Sequence, residues 1–104
     1  MQDYRIEFTT RAKHDMLETH NYISNNLKEP GIADKLLDKI EATIQTLDTM
    51  PLRHAIEQDE QLQQRNLRKI IVDNYLVFYT VNEVTKTVFI VRVLYGRRDW
   101  ISLL

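Results

Sequence analysis

Three runs of β-branched and aromatic residues, Leu67–Val72, Tyr75–Val81 and Thr87–Tyr95, follow one another in the last third of the chain with almost nothing between them. Residues of these types suit a pleated, packed surface. Asp73-Asn74 makes a two-residue turn, and a second short turn begins at Asn82-Glu83. Connections this short cannot carry a parallel crossover, so the three runs are expected to form an antiparallel meander. In the last two runs both faces are largely apolar. The sheet therefore belongs at the centre of the fold, with helices over at least one face.

The upstream segments supply that cover. Tyr4-Arg5-Ile6-Glu7-Phe8 alternates apolar and charged residues and reads as a strand with one face buried. A threonine at Thr9 or Thr10 can cap a helix. Ala12, Met16, Ile23 and Leu27, widened by Leu17 and Tyr22, then mark one face of a helix over roughly residues 10 to 27. Glu29-Pro30-Gly31 punctuates the chain. Beyond it Ile32 or Ala33, Leu36, Leu37, Ile40, Ile44 and Leu47 recur at three and four, which predicts a second helix ending near Met50-Pro51. A short link between two such helices predicts an antiparallel hairpin. Leu52–Gln64 is polar and aperiodic and reads as an exposed loop or weak helical turn.

The predicted class is α+β: an N-terminal strand, an antiparallel helical hairpin, then a three-stranded antiparallel meander. A chain of 104 residues has room for one core, so residues 1–104 are read as a single domain. The apolar tail Ile101–Leu104 is expected to dock on its own domain or on a partner.

Several chemistries are excluded at this level. With no Cys there are no disulfides, thiolate metal sites or cysteine nucleophile, and a reducing compartment is the natural setting. No apolar run reaches the roughly 18 to 20 residues of a membrane span, and Met1–Thr10 lacks the pattern of a signal peptide, so a cytoplasmic protein with no membrane partner is expected. Gly31 and Gly96 are the only glycines, too few for a phosphate-cradling loop. His14, His20 and His54 show no metal-ligand spacing, so no metal and no cofactor are expected. Neither Ser24 nor Ser102 sits in the context of a nucleophile.

Charge is divided unevenly. Residues 1–64 carry seven Lys/Arg and twelve Asp/Glu, a net −5, whereas residues 65–104 carry seven and three, a net +4. A basic half can face a polyanion or be complemented by the acidic half in the fold. Arg92, inside the last strand, is placed by simple alternation on the face of Val88, Ile90 and Leu94, where an unpaired charge is costly. Its partner is then either an acid of the helical hairpin or a phosphate brought by a ligand. Tyr95-Gly96-Arg97-Arg98-Asp99-Trp100 follows at the strand end. Gly96 lets the chain turn; the two arginines and two aromatics can clamp phosphate and stack a base, or form a solvated turn with Trp100 on the core. Arg65, Arg68 and Lys69, on or before the first strand of the meander, can share that rim.

The passages Leu67-Arg68-Lys69-Ile70-Ile71-Val72, Asn74-Tyr75-Leu76-Val77-Phe78-Tyr79-Thr80-Val81 and Val91-Arg92-Val93-Leu94-Tyr95-Gly96-Arg97-Arg98-Asp99, set in this architecture, resemble the RelE/ParE superfamily of bacterial toxins from type II toxin–antitoxin modules. The resemblance covers essentially the whole chain and implies one RelE/ParE-like sheet, a cognate antitoxin as partner, and one of two activities. RelE-like members are ribosome-dependent endonucleases that cut mRNA without a metal; ParE-like members inhibit DNA gyrase and have no known catalytic residues. An inactive relative that only binds antitoxin is a third possibility.

For RNA cleavage the resemblance implies that Arg92, Arg97 and Arg98 hold developing charge while Lys69, Tyr95 or Asp99 handles protons. Arg65, Arg68, Asp99 and Trp100 would bind substrate. The clustering of cations where phosphate would lie favours ribosome-dependent cleavage of mRNA. Two positions depart from the RelE pattern. Leu76 stands where an arginine is expected, and a Lys-x-Lys pair is reduced to Arg68-Lys69, whose side chains point to opposite faces.

Overall fold

The meander forms as expected and gains a fourth strand. In the computed structural model, which describes residues 3–59, 65–96 and 103–104, β1 spans Arg5–Phe8, α1 Thr10–Asn21, α2 Pro30–Gln45, β2 Arg68–Val72, β3 Tyr75–Asn82 and β4 Thr87–Tyr95. The strands lie in the order β1-β4-β3-β2. β2, β3 and β4 pair antiparallel, whereas β1 lies parallel to β4, with Ile6 opposite Val88 and Phe8 opposite Ile90. A parallel neighbour requires a long connection between the two strands, and here the helices, β2 and β3 together provide it.

Thr9 fastens β1 to α1. Its amide donates to the Ile90 carbonyl at 3.0 Å, its hydroxyl donates to the Val91 carbonyl at 3.0 Å, and the same oxygen accepts from the Ala12 amide at 3.1 Å. One residue thus caps the helix and satisfies the edge of β4 where β1 stops.

The first helix is less regular than its apolar spacing predicts. After Asn21 it widens into a π-helical turn, Tyr22–Asn26, closed by the Leu27 amide on the Tyr22 carbonyl at 3.2 Å. Lys28, with φ of 56°, then breaks the chain direction. Pro30 begins α2 instead of merely preceding it. The first helical position needs no intrahelical N–H bond, and the fixed φ of proline already suits the helix. At the other end of α2, Arg53 donates to the Thr46, Thr49 and Met50 carbonyls and to the Thr46 hydroxyl. That cation gathers helix-end carbonyls that would otherwise be orphaned.

Both faces of the sheet are apolar, but their cover differs. Under the helices Ala12, Ile40, Ile44 and Leu47 pack on Val72, Val77, Tyr79, Val88, Ile90 and Val93. The opposite face carries a smaller cluster, Leu67, Leu76, Phe78 and Leu94, against which Val91, Leu103 and Leu104 pack. The described end of the tail is therefore docked on its own sheet.

A bulge changes the facing of β4. Phe78 lies opposite Arg92 and Tyr79 opposite Ile90, so Val91 has no counterpart and the alternation slips by one residue there. Val88 and Ile90 face the helices while Leu94 belongs to the opposite cluster. The expectation that Arg92 shares one face with all three is corrected by this extra residue.

The polar stretch after α2 is partly ordered onto the sheet. Pro51–Arg53 makes one tight helical turn, Ile56 bridges Arg68, and the Glu57 amide donates to the Leu67 carbonyl at 2.8 Å. The first half of the expected exposed loop thus runs along the outer edge of β2, and residues 60–64 lie outside the described residues. Gly96 is required by proximity: a Cβ there would meet the Asn74 carbonyl oxygen at 3.1 Å, and the Gly96 amide donates to that oxygen at 2.7 Å. Its φ is not positive, so packing, not a turn of unusual handedness, accounts for the glycine.

Candidate functional site

Arg92 has an intramolecular partner. Its Nε donates to Asp15 Oδ2 at 2.7 Å and its Nη2 to Asp15 Oδ1 at 2.9 Å, the two-pronged geometry that guanidinium and carboxylate favour. Its Nη1 donates to the Leu103 carbonyl at 2.6 Å. The Val93 amide donates to Asp15 Oδ2 at 2.9 Å, so the carboxylate also serves as a substitute strand partner for β4 beyond the end of β1. Both side chains are buried, at 9% and 4% exposure. The hydrogen bonds to Asp15 push the Arg92 pKa up, against the opposing effect of burial. Of the two partners that the sequence allowed, the described structure contains the hairpin acid.

The other described cations of the expected site, Lys69, Arg68 and Arg65, are also engaged. Lys69 Nζ lies 3.1 Å from Glu57 Oε1. Arg68 donates to the Leu52 carbonyl at 3.3 Å and to the His54 carbonyl, holding the tight turn after α2 against the sheet. Arg65 is exposed and donates to the Leu104 carbonyl. Arg68 and Lys69 are adjacent in β2 and both reach the stretch after α2, Arg68 through the Leu52 and His54 carbonyls and Lys69 through the Glu57 carboxylate. The structure brings Arg92 and Arg65 together only in that both hold the tail. Arg97, Arg98, Asp99 and Trp100 lie outside the described residues.

Beside the clasp, the π-helical turn and the ends of β3 and β4 enclose a cavity of about 640 Å³. Tyr95 lines it with Tyr75, their rings edge to face at 5.5 Å and 66°. Asp15, Glu18 and Tyr22 line the helical side. Tyr79, the other tyrosine of β3, is elsewhere: it is fully buried and donates to the Pro51 carbonyl at 2.7 Å, and burial pushes its hydroxyl up to about 12. His54 packs edge-on against Tyr79 with centroids 6.4 Å apart, and its Nε2 is buried with no hydrogen-bond partner among the described residues. Burial first, and then the charges of Arg53 and Arg68, hold its pKa below the usual histidine range.

Among the described residues no group of three or more His, Asp or Glu is placed to hold a metal ion. No described helix is long and apolar enough to cross a membrane.

Residues 6–100 match the family described as the ParE toxin of the type II toxin–antitoxin system parDE. The chain belongs to the ParE toxin family. The solved structures agree in fold. A chain of the chromosomal ParDE system of P. aeruginosa superposes with a TM-score of 0.73 at 16% identity, covering 91% of this chain and 98% of that one. The RelBE2 toxin–antitoxin complex of Mycobacterium tuberculosis gives 0.63 at 22% identity, covering 89% and 98%. An arginine-to-alanine double mutant of the E. coli RelE toxin in the free state gives 0.66 at 12% identity, covering 97% and 92%. The RelE/ParE-like architecture read from the sequence is thereby established. No curated protein sequence matches this one.

Asp15 is the functional-looking residue that the sequence reading missed. Its signal was available: it stands three residues after Ala12 and one before Met16, the single acid on the apolar stripe of α1. An acid in such a place needs a cation. Glu18, one turn further on, gives no comparable signal because it is an exposed position of an amphipathic helix, and Tyr22, expected on the apolar face, is exposed in the π-helical turn.

Proposed function

We propose that this chain is the toxin of a type II pair that acts by binding DNA gyrase, and that a small cognate antitoxin neutralises it. The observation that carries this reading is the engagement of Arg92. Its guanidinium directs three N–H donors at Asp15 and the Leu103 carbonyl, leaving a buried group poorly disposed to receive a phosphate. Leu76, at the position where RelE-like nucleases are expected to carry an arginine, is only 8% exposed within an apolar cluster. Membership of the ParE family supports the same choice.

An inhibitor needs a binding surface and no proton-transfer chemistry. We assign that surface to the segment directly after β4, with Arg97, Arg98 and Trp100 as its anchors, because arginine and tryptophan dominate interface energetics. Tyr95 directly precedes that segment and Asp99 lies within it; Arg68 and Lys69 pair with Tyr79 and Phe78, level with Ile90 and Arg92, so the expectation that they share the rim of Tyr95 is corrected and they are left out of the surface. The charge division of the chain makes an acidic antitoxin segment the natural complement of this end.

Supercoiling by purified DNA gyrase tests the reading. The protein should block the reaction while mRNA in a translating extract stays intact, and Arg98→Ala or Trp100→Ala should weaken inhibition at least tenfold. Cuts within mRNA codons, lost in Arg98→Ala, would establish the nuclease instead. Absence of both activities, with growth unaffected by expression, would leave an antitoxin-binding relative.

A further inference from the structure

The cavity beside the Asp15–Arg92 clasp has a chemistry that neither proposed activity uses. Three phenol rings, Tyr22, Tyr75 and Tyr95, and two carboxylates, Asp15 and Glu18, line it together with Leu27. No described Lys, Arg or His does. Asp15 is neutralised by Arg92, which leaves Glu18 as the charge facing the space. Its ion contact, to His14 at 3.2 Å, is solvent-exposed on both sides, with the side chains 57% and 59% exposed. Such pairs contribute little and yield readily to a better-buried competitor.

A ring of tyrosines around a carboxylate is the environment that desolvates and stabilises an organic cation, since each ring presents a negative face and the acid supplies the counter-charge. The π-helical turn is what opens the space. The hydrogen bond from the Leu27 amide to the Tyr22 carbonyl closes a turn one residue wider than an α-helical one. Tyr22 and Leu27 stay exposed, at 54% and 53%, on the rim of the cavity.

We propose that this cavity receives a lysine or arginine side chain of the antitoxin, with its charged head against Glu18 and its aliphatic stem between Tyr22, Tyr75 and Tyr95. The partner's identity rests on the toxin reading above; the cation specificity of the cavity does not. Positive charge carried by a segment of an otherwise acidic partner would then set its register on the toxin, because a neutral or acidic residue at that place leaves Glu18 desolvated without compensation.

The test uses the full chain and N-acetyl-arginine methylamide as probe, followed by the ring proton resonances of the tyrosines. Saturable shifts at Tyr22, Tyr75 and Tyr95, with affinity about tenfold weaker in Glu18→Gln and in Tyr22→Ala, are expected. The isosteric neutral citrulline compound should bind at least tenfold more weakly. No saturable shift, or equal binding of the citrulline compound, overturns the cation site whatever the toxin's target. A second arm co-expresses the antitoxin that neutralises growth inhibition by this chain. Glu18→Lys should keep growth inhibition and lose neutralisation by that protein about tenfold, and unchanged neutralisation overturns the antitoxin assignment even where the probe binds.

Discussion

The two faces of one sheet are closed in different ways. On one, a 16-residue helix and its neighbour lay Ile40, Ile44 and Leu47 across the strands. On the other, among the described residues, four buried residues and Val91 of β4 meet two leucines from the chain end. Apolar surface drives the closing of both, yet the first is held by continuous helix and the second by a tail fastened through Arg92 and Arg65 to two carbonyls. The helical face is built to persist. On the opposite face the cover among the described residues comes from the chain end, and Arg92 touches both.

Cutting that shared contact should have the largest effect. Asp15→Ala leaves the Arg92 guanidinium buried without a counter-charge and should cost about 3–5 kcal/mol in urea unfolding; a loss below about 1 kcal/mol would mean that the two faces are not joined there. Next come the faces themselves. Ile44→Ala, under the helices, should cost about 3–4 kcal/mol, and Leu76→Ala about 2, because the tail can settle into the space that the second change opens. Equal costs would erase the distinction between the faces. Lys69→Ala removes a largely buried ion pair with Glu57 at the edge of the sheet, where the freed carboxylate can still turn to water, and should cost about 1 kcal/mol.

The smallest expected effect is a slope with pH. His54 is held neutral by burial and by two arginines, so its folded pKa lies below its unfolded one. The unfolded chain takes up the proton first as pH falls. The stabilisation from neutral His54 is therefore complete above the ordinary histidine pKa of about 6.5 and is lost as pH drops through the depressed folded value. Urea midpoints measured between pH 7.5 and pH 5 should fall less steeply in His54→Gln than in the parent chain.

Much of the architecture was readable from periodicity. The strand limits of the meander, the helical hairpin and the two-sided apolar sheet all follow from where Val, Ile, Phe, Tyr and Leu recur. Two things were not readable from spacing. One is the parallel pairing of β1 with β4, since alternation in Tyr4–Phe8 states which face is buried but not which strand lies alongside. The other is the bulge at Val91, which reverses the facing of every later residue in β4; no Gly or Pro marks it.

The candidate site was legible in part. Positive charge at the end of the chain was plain, but a list of cations does not say which are already neutralised. The sequence shows that Arg92 needs a partner, and only the fold chooses between a carboxylate of α1 and a phosphate. In sequence Tyr95 stands close to Arg97 and Trp100. The neighbours that the structure gives it, Tyr75 and Glu18, come from two other elements.

The parallel pairing of the first strand with the last has a consequence for how such a chain can be made. β1 is synthesised first and has no strand beside it until β4 exists, and Asp15 of α1 has no guanidinium until residue 92 has been added. A chain interrupted anywhere before that point lacks the central strand of the sheet and the clasp that seals it. Formation of the sheet and of its clasp is thus deferred until β4 has been made, so a chain stopped short of that strand has neither.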